Sequence, residues 1–498
     1  MLLRTICSQL PSLAERLVST ALQDTTNTRL GRAVSALMQA HPGRSGIVPL
    51  PDGRDAFAAR ALLADGAQRS LDVQYYIWRD DLSGTLLFDA LRGAADRGVR
   101  VRLLLDDHNT VGLDAILASL DAHPNIEVRL FNPFAQRRWR WLGFLGDFAR
   151  LNRRMHNKSF TADNQVTIVG GRNVGDEYFG ADEDLQFVDL DVLAVGSVVI
   201  SVSNDFDRYW ASQSAYPARA LLLREPGAVA AAAERLAQVK SDPAAHAYVP
   251  ALSDSPHVHR MLTGDLDFEW TSVRVVSDDP AKALGLAPPE GLLLQRLKDV
   301  LGTPRRDLRL VSPYFVPTAS GVEAFGDLVR GGVEVMVLTN SLAATDVAAV
   351  HAGYAKRRKP LLEAGVELFE LKRAATVPTG GAFRIRGSSA ASLHAKTFAV
   401  DHERVFVGSF NLDPRSARLN TELGFVIDSP RLALALADWF AVVTRNHAYE
   451  VRLSDDGALN WLDCEIGEAH IYREEPGIGF WRRAGVGVLS WLPIEWLL

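Results

Sequence analysis

Apolar and polar positions follow one order twice along this chain. In the first stretch, Ser70 to Trp78 (SLDVQYYIW) is an apolar, β-rich run, a helical periodicity covers about Gly84 to Arg97, and Val99 to Asp107 (VRVRLLLDD) is a second buried run. Strand, helix and strand in that order predict a parallel pair joined by a crossover helix. The second stretch repeats the unit with Asp307 to Pro317, a helical pattern from about Gly321 to Arg330, and Val333 to Asn340 (VEVMVLTN). Downstream, Ile126 to Phe131 corresponds to Val366 to Phe369, and each precedes a polar loop and then a strand carrying a histidine. Tyr76 and Tyr314, His156 and His394, Asp163 and Asp401, and Asn173 and Asn411 share one separation of 238 positions, which independent loop changes would have erased. This is the mark of an internal duplication. The fold class expected is α/β, with two pseudo-symmetric α-β-α sandwich halves that form separately and then pack together. The expected layout is an N-terminal helical segment (1–45), a first half (46–215), a connector (216–270) with a helix at about Gly227 to Lys240, a second half (271–450) and an apolar C-terminal tail (451–498).

Composition narrows the class without naming a chemistry. The 498 residues are 47% hydrophobic and 23% charged, with a mean hydropathy of zero, which excludes disordered, collagenous and low-complexity chains. A formal net charge of −6 argues against a uniformly positive surface for gripping nucleic acid. The two cysteines, Cys7 and Cys464, form no CxxC pattern and suit a reducing compartment. The N-terminus carries Arg4 and no apolar stretch of signal length, and no 18-residue apolar run occurs anywhere, so neither a secretion signal nor a membrane-spanning helix is expected.

The chemistry sits in two copies of HxKxxxxD: His156, Lys158 and Asp163 in HNKSFTAD, and His394, Lys396 and Asp401 in HAKTFAVD. Each is followed by a Gly-rich Asn turn, GGRN ending at Asn173 and GSFN ending at Asn411. On a strand, residues two apart face one side, so each His is expected to project beside its Lys. Imidazole can act as nucleophile or general acid and base near neutral pH, while an ammonium and an Asn amide are donors for phosphate oxygens. Two facing sets describe phosphoryl transfer without a metal or other cofactor: one His attacks phosphorus, and the other protonates the departing alkoxide and then takes the proton of the incoming alcohol. Other histidines, such as His108 and His351, are expected to be ordinary packing residues.

This double motif resembles that of the phospholipase D superfamily, and the likeness runs from about Val48 to Leu498. SLDVQYYIW, GGRNVGDEYFG, the FVDLDVLAVG run, GSFNLDPRSARLNTE and the apolar C-terminal end resemble the bacterial cardiolipin synthases of the C type in particular. The resemblance implies a phospholipase D fold with the active site at the interface of the halves, and a phosphatidyl transfer between phospholipids through a covalent phosphohistidine. Phosphatidylglycerol with phosphatidylethanolamine, or two molecules of phosphatidylglycerol, are the implied lipids. It also implies His156 as nucleophile, His394 as acid and base, and Asn173, Asn411 and Ser409 around the phosphate. An acidic residue is implied on the far nitrogen of each His: Glu422 for the second half, and Asp191, with Asp189 as the alternative, for the first. Asp163 and Asp401 belong to the motif but are expected to tie strand to loop. The first half has Gly171 where the second has Ser409, so the halves are chemically unequal. A hydrolytic phospholipase D and a nuclease are the rival reactions.

Two surfaces suit a lipid boundary. Residues 134–154 interleave Arg137, Arg138, Arg140, Arg150, Arg153 and Arg154 with aromatics, of which Trp141, Phe144 and Phe148 fall at helical spacing. The alternative is a helix packed on the core with a solvated Arg edge. The C-terminal stretch carries Trp481, Trp491 and Trp496 among aliphatic residues and is too broken to span a bilayer. Peripheral contact at the cytoplasmic side of a bacterial inner membrane is therefore expected, with phospholipid substrates and no nucleic acid, and with a protein partner left open.

Overall fold

A computed structural model describes residues 9–479 apart from 15, 183–185, 223–226, 247, 249–254, 346, 374–378, 381–382, 385–390 and 465–469. The first half supplies β1 (Ser45–Leu50), β2 (Ser70–Ile77), β3 (Arg100–Asn109), β4 (Ile126–Phe131), β5 (Ser159–Ala162), β6 (Val166–Gly170), β7 (Gln186–Val188), β8 (Asp191–Gly196) and β9 (Ala215–Pro217). After β10 (Glu269–Thr271), the second half contributes β11 (Val273–Ser277), β12 (Asp307–Val311), β13 (Glu334–Asn340), β14 (Glu367–Leu371), a short hairpin of β15 (Thr379–Gly380) and β16 (Phe383–Arg384), and β17 (Ala391–Leu393). It continues with β18 (Thr397–Val400), β19 (Arg404–Gly408), β20 (Leu423–Asp428), β21 (Ala448–Leu453), β22 (Leu459–Asp463) and β23 (His470–Tyr472).

Two sheets result, with one strand order at their centres. The first runs β10-β1-β8-β6-β5-β2-β3-β4-β9 and the second β11-β20-β19-β18-β12-β13-β14-β21-β22-β23. The expected parallel pairs are present as β2 with β3 and β12 with β13, and each is extended in parallel by the third strand, β4 or β14. The crossover helices, Leu82–Asp96 and Ala319–Arg330, begin alike: Asp81 and Thr318 accept the amide protons of Gly84 and Gly321. On β3, Leu103 and Leu105 enter one core layer and Leu104 the other, which is why that run is apolar throughout.

The two halves pack together through a common core. Ile47, Val192 and Ala194 of the first sheet share one buried cluster with Val405, Val407 and Phe425 of the second. The second sheet also runs to Tyr472, so a boundary at residue 450 would cut β21, and β10 of the connector pairs with β1. Within 1–45 the one helix among the described residues is Arg29–Ala40, and the connector helix lies at Ala228–Ser241. The tail carrying Trp481, Trp491 and Trp496 lies outside the described residues.

Candidate active site

His156 and Lys158 stand just ahead of β5, and His394 and Lys396 just ahead of β18, in extended chain rather than within the strands. Each lead-in is held by the opposite half. The His156 amide donates to Thr421 O at 2.8 Å, and the Thr421 amide donates to Arg154 O at 2.9 Å. Across the pseudo-symmetry, the amides of His394 and Ala395 both donate to Val188 O at 2.8 Å, and β17 pairs in parallel with β7. The residue after each of these anchors is an acid, so the acid reaches the histidine of the other half. His156 Nδ1–H donates to Glu422 Oε2 at 2.8 Å and lies 3.0 Å from Ser409 O, while His394 Nδ1–H donates to Asp189 Oδ2 at 2.5 Å. Donation from Nδ1 fixes the tautomer and leaves Nε2 as the acceptor and nucleophilic atom.

Burial sets the charges. It pushes His156 well below its usual range, helped by Lys158, Lys396 and His394, and it brings His394, beside Lys396, down to about 4. Both imidazoles are therefore neutral at pH 7, and they feel each other's lysines, as groups sharing one site do. Burial raises Glu422 to about 7 against the pull of Lys158. For Asp189 burial also acts upward, but His394 and Lys396 outweigh it and hold the carboxyl at about 2. Lys158 falls well below its usual value, chiefly by burial. Its Nζ donates to His156 O at 2.5 Å and lies over the Tyr76 ring, and Lys396 Nζ lies 3.2 Å from His394 Nε2. Buried lysines beside imidazoles favour an anionic ligand, whose charge would offset the cost that burial imposes on the ammonium form.

The family described as "Cardiolipin synthase, PLD-like domain" matches twice, at residues 63–210 and 297–443. This chain is a member of that family. It is 52% identical over 474 residues to cardiolipin synthase C of Escherichia coli (strain K12), covering 94% of this chain and 100% of that protein. It is 26% identical to the major cardiolipin synthase of Bacillus subtilis (strain 168), over 80% of this chain and 70% of that one. Among solved structures, phosphatidylserine synthase of Haemophilus influenzae shares the fold, with a TM-score of 0.55, 15% identity, and coverage of 84% of this chain and 92% of that one.

In this cardiolipin synthase family member several site residues stand elsewhere than expected. Glu422 serves the histidine of the first half, not its own. Asp191 does not touch His156; its buried carboxylate pairs with Arg60 at 2.8 Å and with Arg172 at 3.4 Å. The alternative residue, Asp189, is the one on a histidine, and that histidine is His394. Asp163 and Asp401 lie at the far end of the motif strands. Asp163 accepts the amides of Gln68, Arg69 and Ser70, and Asp401 those of Arg305, Arg306 and Asp307. Both adopt left-handed φ, 52° and 55°, a turn conformation that Asp tolerates.

The Asn turns also divide. The Asn173 amide is committed within the protein, accepting from the Ile77 amide and donating to Tyr178 OH, whereas Asn411 Oδ1 is buried without a hydrogen-bond partner among the described residues. The Ser409 hydroxyl donates to Glu422 Oε2 and so supports the carboxylate behind His156. Gly171 answers the shorter acid: a Cβ there would collide with the Asp189 carboxylate. Gly with Asp in one half and Ser with Glu in the other are thus alternative ways of filling one space. Tyr178 and Phe187 pack on His394, and Tyr76 packs on His156, with ring centroids 4.8–5.1 Å apart. Tyr76 is marked in the sequence by its 238-residue pairing with Tyr314, whereas Tyr178 and Phe187 have no sequence signal beyond lying in the family strings. His351 is buried against Glu475 and Arg358, but His108 is exposed beside Phe134 and Phe144. No three His, Cys, Asp or Glu side chains converge as metal ligands among the described residues.

Proposed function

We propose that this chain transfers a phosphatidyl group from one phospholipid to a hydroxyl of another, making cardiolipin through a phosphohistidine. The observation that carries the reading is the pair of neutral imidazoles, each oriented by a carboxylate from across the interface. The unequal carboxylates support a division of roles. Asp189, fully charged at neutral pH, can stabilise an imidazolium on His394, so His394 acts as acid and base. Glu422, near 7, can take up the Nδ1 proton of His156 as its Nε2 bonds to phosphorus, so His156 acts as nucleophile. In the first step His394 enters as the imidazolium, protonated at Nε2 beside the bound phosphate anion and Asp189. The P–N bond forms, the P–O bond to the leaving alcohol breaks, and the alkoxide takes the Nε2 proton, leaving His394 neutral. In the second step His394 accepts the proton of the incoming hydroxyl, whose oxygen bonds to phosphorus as the P–N bond breaks, and Glu422 returns the Nδ1 proton to His156. Lys158 and Lys396 neutralise the phosphate oxygens.

Peripheral contact with a lipid surface fits the same reading. No helix among the described residues is long and apolar enough to cross a membrane. In the helix Arg140–Leu151, Trp141, Leu145 and Phe148 form an outward stripe, with Trp141 65% and Leu145 72% exposed, while Phe144 packs on Phe134. The neighbouring Arg137 and Arg140 bond to Asp107 and Asp114, so the helix offers apolar surface more than free charge. Phosphatidylglycerol with phosphatidylethanolamine, or with itself, is the substrate set to test. Incubation with these lipids in chelator, with products identified by mass, should give cardiolipin that disappears in both His156→Ala and His394→Ala. Phosphatidic acid as the main product, or cardiolipin surviving either change, would overturn the reading.

A further inference from the structure

The second half contains an apolar groove of about 480 Å³ between the helices Leu293–Leu301 and Ala319–Arg330. Leu294, Leu297, Leu301, Phe325 and Leu328 line its sides, and Phe398 and Val400 of β18 form part of its floor. It follows the sheet from the far end of β12, at Leu308, to the end that carries the site, where Val316 and Leu412 form its mouth. Five residues of strand make this run roughly 16 Å. Leu412 at the mouth lies three residues along the chain from Ser409, whose carbonyl is 3.0 Å from His156 Nδ1, so the groove ends beside the loop that borders the candidate active site. Lys298 and Arg418 stand among its lining residues as cations.

The duplication provides an internal control. In the first half the same crevice, between the helices Gly53–Gly66 and Leu82–Asp96, is plugged. Phe179 fills it, fully buried, with Phe57 edge-on against it, the connector residue Tyr248 edge-on against Phe57, and the Arg60 guanidinium over the Phe179 ring at 5.3 Å. Tyr248 OH donates to Phe179 O and locks the plug in place. Counted from Asn173 and Asn411, the position of Phe179 is Ala417 in the second half. Counted from the first residue of β2 and β12, the position of Arg60 is Leu297. Two large side chains are thus replaced by a methyl group and a leucine, and among the described residues no aromatic ring plays the part of Tyr248. The second half therefore keeps open a space that the first half fills.

We infer that this groove holds one hydrocarbon chain of the phospholipid whose phosphate lies between His156 and His394. The inference rests on the phosphatidyl-transfer reading and adds where the lipid tail goes. A chain drawn from a bilayer into water loses about fourfold in equilibrium for each exposed methylene. An apolar trough leading from the site removes that loss and brings the headgroup to the histidines.

The test uses the full chain with a phosphatidylglycerol bearing a diazirine midway along one acyl chain. After irradiation in vesicles, adducts mapped by peptide mass spectrometry should fall on 293–301 and 319–330. Unlabelled long-chain lipid should compete them away. Ala417→Phe, which restores the plug, should abolish these adducts and slow transfer from long-chain lipid by about tenfold or more, leaving dihexanoyl lipid turned over at the parent rate. Ala324→Leu, on the facing helix, should act the same way. Adducts confined to other peptides, or both filled variants handling long-chain lipid at the parent rate, would overturn the groove. Cardiolipin formed without groove adducts would refute the groove and leave the transfer reading standing, whereas groove adducts without transfer would do the reverse.

Discussion

Replacing Asp189 with Asn tests the crossed wiring of the site most directly. The carboxylate accepts the Nδ1 proton of His394 at 2.5 Å and is held at about 2 against an ordinary 3.8. At about 1.4 kcal/mol per unit, this corresponds to about 2 kcal/mol of preference for the charged form, some tens of fold. An amide keeps the shape but removes that support for an imidazolium, and it can present its own N–H to Nδ1 and so select the wrong tautomer. Transfer should therefore fall by at least some tens of fold, and by up to about 10⁴-fold where the tautomer reverses. Because His394 must be protonated to release the leaving alcohol, the alkaline limb of kcat/KM should move to lower pH. In protein labelled with ¹⁵N-histidine, the low-field Nδ1 proton of this pair should vanish in Asp189→Asn and in His394→Ala but persist in His156→Ala. A signal that vanished with His156 and survived the loss of His394 would show that each half orients its own histidine, and the crossed arrangement would be refuted.

Glu422→Gln should make the fold more sensitive to acid. His394, depressed to about 4 from 6.5, costs stability as pH falls below 6.5, whereas Glu422, raised to about 7 from 4.5, regains stability as pH falls from 7 to 4.5, so the two oppose each other. Without Glu422, urea unfolding should show a loss between pH 7 and 4.5 that is about 3 kcal/mol greater than in the parent. Asp163→Ala strips three backbone amides of their acceptor and should cost ~2–3 kcal/mol by chemical denaturation, with the turnover of the folded fraction unchanged. The triple change Trp141→Ser, Leu145→Gln and Phe148→Ser should lower co-sedimentation with anionic vesicles by about tenfold or more and spare turnover of dihexanoyl lipid. Unchanged sedimentation would remove this helix from the lipid contact.

The covalent pattern of the chain was enough for the duplicated order of strands, the parallel pairs and the two His and Lys sets. These depend on alternation, periodicity and spacing, which act over a few residues at a time. The partner of each histidine was not legible, because Asp189 and Asp191 are equally acidic and equally near the motif in sequence. Only the exchange of backbone hydrogen bonds at Thr421 and Val188 decides which carboxylate crosses the interface and toward which ring. The same holds for Gly171, whose need for a bare Cα arises from the Asp189 carboxylate packed against it, and for Asn173, whose amide is bound to Ile77 and Tyr178. The shared core of Ile47 with Val405 and Phe425 was equally hidden, since an apolar residue on a strand does not say whose surface it will meet. Local chemistry is written along the chain, but which groups become neighbours depends on long-range packing, and here that packing decides how protons are held at both histidines.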